Sequence, residues 1–255
     1  MSTEKNKLKE LYSEMSKHSS YQILSKRLSE IINHNEIKVK TRYEKERLKY
    51  ITENLDIHNK KILDIGGNTG YFTFEMIDQG VEKVHFYEGN KTHSEFVRLS
   101  SKVLGVEKKI EITNEYYRFD DECRKKKYDI ILLLNVLHHI GDDYGDKKLS
   151  IEKAKGIIVE QLNTLADTTE IMVFQLGFNW KGNSELGLFE NGTKEELIRF
   201  IKDGTEKKWG IIEIGVAEQI EDSIHYNKLN KENINRFDHL GEFLNRPIFI
   251  MKSLK

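Results

Sequence analysis

From Lys61 onward, short continuous apolar runs alternate with stretches in which apolar positions recur every three or four residues. That alternation predicts strands and helices in turn, the pattern of a parallel sheet covered on both faces. Strands are predicted near 61–66, 84–88, 110–113, 128–135, 170–176, 209–218 and 246–252, and the intervening helices near 70–79, 91–104, 148–166 and 193–204. The run Tyr128 to Leu134 lacks any polar alternation after Asp129, as a strand buried on both sides requires. The only proline, Pro247, falls at the start of the last predicted strand, where a missing N–H is tolerated. Ahead of Lys61 the spacing is helical throughout. Leu8, Leu11, Tyr12 and Met15 share one face, Leu24, Leu28, Ile31 and Ile32 another, and a third helix is predicted from Val39 to Asn54. The expected organisation is an N-terminal helical extension over residues 1–57 and an α/β domain of seven strands over residues 58–255.

Composition narrows the partners rather than the fold. A chain of 255 residues with 38% hydrophobic and 33% charged residues builds one packed core under a charged surface. Its formal net charge of -1 gives no general attraction to polyanions, so nucleic acid is not the expected partner. The basic cluster Arg124 to Lys127 follows Asp120, Asp121 and Glu122 directly, which makes the local charge mixed. One cysteine, Cys123, excludes an internal disulfide and a multi-cysteine metal site, and neighbouring acids disfavour its thiolate. Neither a signal peptide's apolar segment nor a run of about 20 apolar residues is visible, so a cytoplasmic location without membrane insertion is expected.

The richest chemistry lies in Lys61-Ile-Leu-Asp-Ile-Gly-Gly-Asn-Thr-Gly70, a strand running into a glycine-rich turn that opens a helix. Gly66, Gly67 and Gly70 permit positive φ and remove Cβ atoms that would hold a ligand away, and the helix after them would turn its N-terminus toward that ligand. The next strand ends in Glu88, about twenty residues on, where a carboxylate meets the hydroxyl pair of a ribose in nucleotide-binding sheets. Ligands of such sheets bind beyond the carboxyl ends of the strands. That selects Gly66 to Gly70, Glu88 to Asn90, Asn114 to Tyr117, Asn135 to Asp143 and Gln175 to Lys181.

Ile62 to Gly70, Phe86-Tyr87-Glu88, Tyr128 to Ile131 and Leu134-Asn135-Val136-Leu137-His138-His139, taken in order, resemble class I S-adenosylmethionine-dependent methyltransferases, over about residues 60 to 252. The resemblance implies a Rossmann-like, mostly parallel sheet closed by an antiparallel last strand, Arg246 to Met251. It also implies S-adenosylmethionine as cofactor. Gly66, Gly67, Asn68 and Gly70 would hold its methionine portion, Asp64 would orient its ammonium through water or else organise the loop by hydrogen bonds, Glu88 would meet its ribose, and Asn114, Glu115 and Tyr116 its adenine. Asn135 would lie beside the methionine amine and the departing methyl. Asn68 replaces the family's usual glycine, a change the turn survives because Asn tolerates the left-handed region. A nicotinamide-dependent dehydrogenase shares this loop and acid, but its G-x-G-x-x-G spacing differs from glycines at 66, 67 and 70.

Methyl transfer to an alcohol needs a base, and an imidazole with a pKa of about 6.5 accepts a proton at neutral pH. His139 is the preferred base, with His138 and Asp142 as further catalytic candidates; packing on the cofactor is the competing role for both rings. Contiguous histidines and acids on one loop do not define a ligand geometry, so no metal is expected. Gln175, Asn179 and Trp180, with Asp143, combine an aromatic platform and hydrogen-bonding groups suited to a sugar. Leu134 to Asp143 with Gln175 to Gly182 also resemble bacterial capsule and surface-polysaccharide sugar O-methyltransferases, heptose enzymes included. That narrower resemblance implies a nucleotide-activated or polysaccharide-linked sugar hydroxyl as acceptor. The alternatives are a tRNA or rRNA methyltransferase and a non-catalytic cofactor-binding scaffold.

Overall fold

A computed structural model describes residues 2–14, 16, 18–33 and 37–255. Met15, one of the positions expected on the first helical face, lies outside the described residues. The chain divides into two compact units, Met1–Tyr117 and Arg118–Lys255.

The first unit carries three parallel strands in the order β3-β2-β1: β1 (Lys61–Ile65), β2 (Lys83–Tyr87) and β3 (Ile110–Thr113). Their register, Ile65 opposite Tyr87 opposite Thr113, brings three carboxyl ends level. Everything expected of the loops that follow depends on that alignment. Three helices precede β1: α1 (Ser2–Ser13), α2 (Lys26–Ile31) and α3 (Glu44–Asn54). The third begins at Glu44 rather than Val39, because Tyr43 stands in the left-handed region at φ 55 and breaks the helical run. Leu8, Leu11 and Tyr12 of α1 are buried, and the Tyr12 ring lies 5.7 Å from Phe96 of α5 (Lys91–Val103). The extension and the strand-bearing part therefore share one core. Between β1 and β2 runs α4 (Tyr71–Asp78), unusually apolar, with Tyr71, Phe72, Phe74, Met76 and Ile77 all buried.

The second unit carries five strands in the order β4-β5-β8-β6-β7: β4 (Tyr128–Leu134), β5 (Thr169–Gln175), β6 (Trp209–Ile220), β7 (Ser223–Lys228) and β8 (Ile248–Ser253). β4 and β5 are parallel; β8 inserts antiparallel beside β5 and beside β6, so the expected antiparallel last strand is present. Its helices are α6 (Asp121–Arg124), α7 (Ile151–Leu165), α8 (Lys194–Thr205) and α9 (Gly241–Leu244). A capping box between Thr193 and Glu196 starts α8, which explains its sharp onset. Among the described residues there are eight strands, not seven. The additional one, β7, folds back on β6 through Glu221 and Asp222, with Glu221 at φ 53 and Ile220 paired with Ser223. No described helix is long and apolar enough to cross a membrane.

Candidate active site

In the first unit the turn after β1 takes left-handed φ at three positions, Gly66 (70°), Asn68 (54°) and Gly70 (80°). Asn68 thus adopts a conformation that a glycine would reach freely. Gly67 is constrained from within the protein: a Cβ there would lie 2.2 Å from Cε2 of Phe86 and 2.8 Å from Oδ2 of Asp64. The glycine lets the turn lie flat on β2.

Every backbone amide from Gly66 to Tyr71 has a partner inside the unit. Gly66 and Gly67 donate to the Tyr87 carbonyl, Gly70 donates to that of Gly67, and Asn68 donates to Oε2 of Glu88 at 2.8 Å. Thr69 donates to the side chain of Asn68, and Tyr71 to Oε1 of Gln22 at 2.9 Å. Phosphate-binding turns instead leave such amides directed at the anion. This loop suits a cofactor without a pyrophosphate. The helix N-terminus expected to face a ligand is capped by Gln22, whose Oε1 also accepts from the Thr69 hydroxyl at 3.1 Å.

Glu88 is buried, and burial pushes its pKa up to about 7 against the amides of Asn90 and Asn68, which each donate at 2.8 Å and favour its charge. With one amide on each oxygen, each keeps acceptor capacity for one hydroxyl of a diol. Asp64 accepts from the Thr73 hydroxyl at 2.7 Å, and burial raises it to about 6. It organises the start of α4. Asn114 donates to the Glu88 carbonyl at 2.8 Å, and the Tyr116 ring lies over Gly89, where a Cβ would stand 2.6 Å from it. Glu115 is exposed and Tyr116 remains 48% exposed, so these two form an open rim.

The N-terminal extension closes on this loop through groups that no sequence pattern marks. Besides Gln22, the His18 carbonyl accepts from Nδ2 of Asn68 at 3.2 Å, and Ser16 Oγ accepts from Nδ2 of Asn90 at 2.9 Å. Tyr12 in turn donates to the Gln22 carbonyl at 2.6 Å.

In the second unit, β4 ends in Asn135 at φ 63, with its amide bonded to the Gln175 carbonyl. The Asn135 side chain donates from Nδ2 to Oε1 of Gln175 at 2.8 Å and accepts at Oδ1 from Nη1 of Arg246 at 2.8 Å. Gln175 is fully buried and donates from Nε2 to the Arg246 carbonyl, so the amide placed by sequence among acceptor contacts serves Asn135 and the entry to β8. Arg246 pairs through Nε and Nη2 with Glu242, whose Oε1 also accepts from the Phe178 amide at 2.9 Å. Sequence reasoning passed over both charged residues, although Glu and Arg four apart is the spacing of a helical ion pair.

A one-turn 3-10 segment, Leu137–His139, follows Asn135. His138 is buried, and its Nδ1 accepts from the Gly177 amide at 3.3 Å, which places the proton of the neutral ring on Nε2. A Cβ at Gly177 would lie 2.8 Å from that ring. The His139 ring lies 4.2 Å from the His138 ring and has its Nδ1 3.5 Å from Oδ2 of Asp143. That separation is ion-pair distance and long for a hydrogen bond. Asp143, rather than Asp142, faces the imidazole. The His139 carbonyl accepts both Asp142 and Asp143 amides, and the resulting turn brings the later acid round.

Trp180 is buried and donates from Nε1 to the Ile140 carbonyl at 2.8 Å, while the Lys181 ammonium sits 4.3 Å from its ring centre. The ring anchors this loop to the histidine turn. Asn179 stays half-buried, and a Cβ at Gly182 would meet Cε1 of His139 at 3.1 Å. The loop therefore lies directly against the imidazole.

Residues 36–146 match the profile of a family described as a methyltransferase domain. No curated protein sequence matches the chain. Among solved structures, WbdD is similar at a TM-score of 0.60 and 17% identity, over 96% of this chain and 46% of that one. A second structure of WbdD, there described as a bifunctional kinase-methyltransferase, matches at a TM-score of 0.58 and 17% identity, again over 96% of this chain and 46% of that one. The chain thus spans about half the length of WbdD, and the likeness is one of fold. A candidate RNA methyltransferase from Pyrococcus horikoshii matches at a TM-score of 0.49 and 12% identity, over 82% of this chain and 84% of that one.

Proposed function

We propose that this chain is a class I methyltransferase that uses S-adenosylmethionine to methylate a hydroxyl of a sugar, nucleotide-activated or linked to a surface polysaccharide, in the cytoplasm. The cofactor reading is supported by the self-satisfied loop beside Glu88: it offers a diol acceptor and no phosphate cradle. The loop residues Gly66 to Gly70 would hold the methionine portion, Glu88 the ribose, and Asn114 to Tyr116 the adenine. When bound, S-adenosylmethionine supplies a methyl group activated on a sulfonium.

The observation that carries the alcohol acceptor is the pairing of His139 with Asp143 at 3.5 Å. From that distance Asp143 would draw the imidazole proton to Nδ1 and leave Nε2 to take the proton from an acceptor hydroxyl, the division of labour in a base oriented by a carboxylate. Gly182 and Asn179 bring backbone and amide groups to the same loop, which suits a polyhydroxylated acceptor. Trp180 supports it from below rather than by offering an open ring. Residues 1–57 act as a cover of the cofactor loop through Gln22 and His18, and residues 58–255 as the methyltransferase domain.

The test is turnover to S-adenosylhomocysteine with a panel of sugar nucleotides and surface glycans. Transfer to a sugar hydroxyl is expected. Binding of NAD without S-adenosylmethionine would sink the cofactor reading, and salt-sensitive transfer to RNA alone would sink the acceptor.

A further inference from the structure

Glu242 and Arg246 belong to no strand end selected by sequence, yet their side chains reach two of them. Arg246 emerges just ahead of β8, and its guanidinium divides its donors. Nε and Nη2 bind the Glu242 carboxylate, and Nη1 binds Oδ1 of Asn135. Glu242 divides its acceptors in the same way, with Oε1 also taking the Phe178 amide at the root of the Trp180 loop. The Arg246 carbonyl accepts from Nε2 of Gln175, and Oε1 of Gln175 accepts from Nδ2 of Asn135. The result is a closed ring of hydrogen bonds through Asn135, Arg246 and Gln175.

That ring fixes which way the Asn135 amide points. A free asparagine side chain can exchange its oxygen and nitrogen by a half-turn about χ2, and the two orientations present opposite polarity. Here a half-turn would face Nδ2 with the guanidinium and Oδ1 with the Gln175 oxygen, two repulsive contacts in place of two attractive ones. Asn135 also stands at φ 63, in the left-handed region that asparagine tolerates better than most residues.

We propose that Arg246, braced by Glu242, is a positioning residue for the cofactor, acting through Asn135, and that the same ion pair couples Asn135 to the Trp180 loop. The planar fork is essential, since a lysine presents a point charge that does not bind a carboxylate and an amide oxygen in fixed directions together. The inference rests on the cofactor reading above together with the place the resemblance implies for Asn135, beside the methionine amine of S-adenosylmethionine.

The test is a double-mutant cycle on S-adenosylmethionine affinity, measured by calorimetry and needing no acceptor. Arg246→Lys is expected to weaken binding about tenfold in the unaltered chain and less than about twofold in the Asn135→Ala background. Thermal unfolding of each protein, read alongside, separates coupling from loss of fold. Should Arg246→Lys fail to fold, Glu242→Gln runs the same cycle and is expected to show the same non-additivity. Unchanged affinity in the single variant, or equal losses in both backgrounds, overturns the inference. Failure of the unaltered chain to bind S-adenosylmethionine overturns the cofactor reading itself, and this inference with it.

Discussion

The Asn68 amide donates to a carboxylate oxygen of Glu88 at 2.8 Å, joining the glycine-rich turn to the end of the next strand. The turn after β1 and the acid at the end of β2 are thus one hydrogen-bonded unit. Glu88→Ala is expected to lower S-adenosylmethionine affinity roughly 10–100-fold, the scale of losing hydrogen bonds to a charged group. Calorimetric titration reads this directly, and an affinity equal to that of the unaltered chain would remove Glu88 from the site.

Burial raises Glu88 to about 7 and Asp64 to about 6, so both hold protons in the folded chain that the unfolded chain has released. Their stabilising contribution is full at pH values below their ordinary carboxylate range and is lost as pH rises through about 6 and then about 7. Binding runs the other way, because a diol donates best to an ionised carboxylate. Affinity for S-adenosylmethionine is expected to strengthen as pH rises through about 7, and Glu88→Gln to flatten that dependence. A profile of affinity against pH that is flat in the unaltered chain would refute the assignment.

Gly67→Ala places a methyl group 2.2 Å from the Phe86 ring, a distance that neither partner can absorb in place. A loss of about 1–3 kcal/mol in folding stability is expected from such overpacking. Chemical denaturation checks it. A neutral effect would show that the turn has freedom to lift from β2.

His139→Ala is expected to reduce turnover ~10²–10⁴-fold with little change in cofactor affinity, the range of a lost general base. Asp143→Asn should lower turnover less, and more than Asp142→Asn does. Equal effects of the two acid variants would place the orienting role elsewhere. Once an acceptor is found, steady-state kinetics with separate cofactor titration distinguishes these outcomes.

Gln22→Ala strips the Tyr71 amide and the Thr69 hydroxyl of their shared acceptor. A loss of about 1–2 kcal/mol is expected for a removed helix cap, with weaker S-adenosylmethionine binding because the loop is released. Loss of stability with full affinity would leave the extension a purely structural cover.

The apolar runs at 61–65, 83–87 and 128–134 are legible as strands because their burial is written in consecutive residues, and the turn is legible because positive φ recruits glycine and asparagine. The β6-β7 hairpin escaped notice for the opposite reason. Its turn residues, Glu221 and Asp222, carry no glycine signal, and the strand after them offers only two apolar positions, Ile224 and Tyr226. α3 starts later than the apolar spacing predicts because the left-handed backbone of Tyr43 leaves no mark in periodicity.

The local chemistry is legible in residue order: an α/β chain, a glycine turn after β1, an acid at the end of β2, an asparagine and two histidines after β4. Each of these is set by neighbours within a few residues. Which groups serve which follows from packing across the fold. Gln22 reaches Tyr71 across 49 positions, Arg246 reaches Asn135 across 111, and a single turn chooses Asp143 over Asp142 for His139. A hydrogen bond depends on angles and distances of a few ångströms, which periodicity does not encode, and which packing fixes only after the strands are aligned.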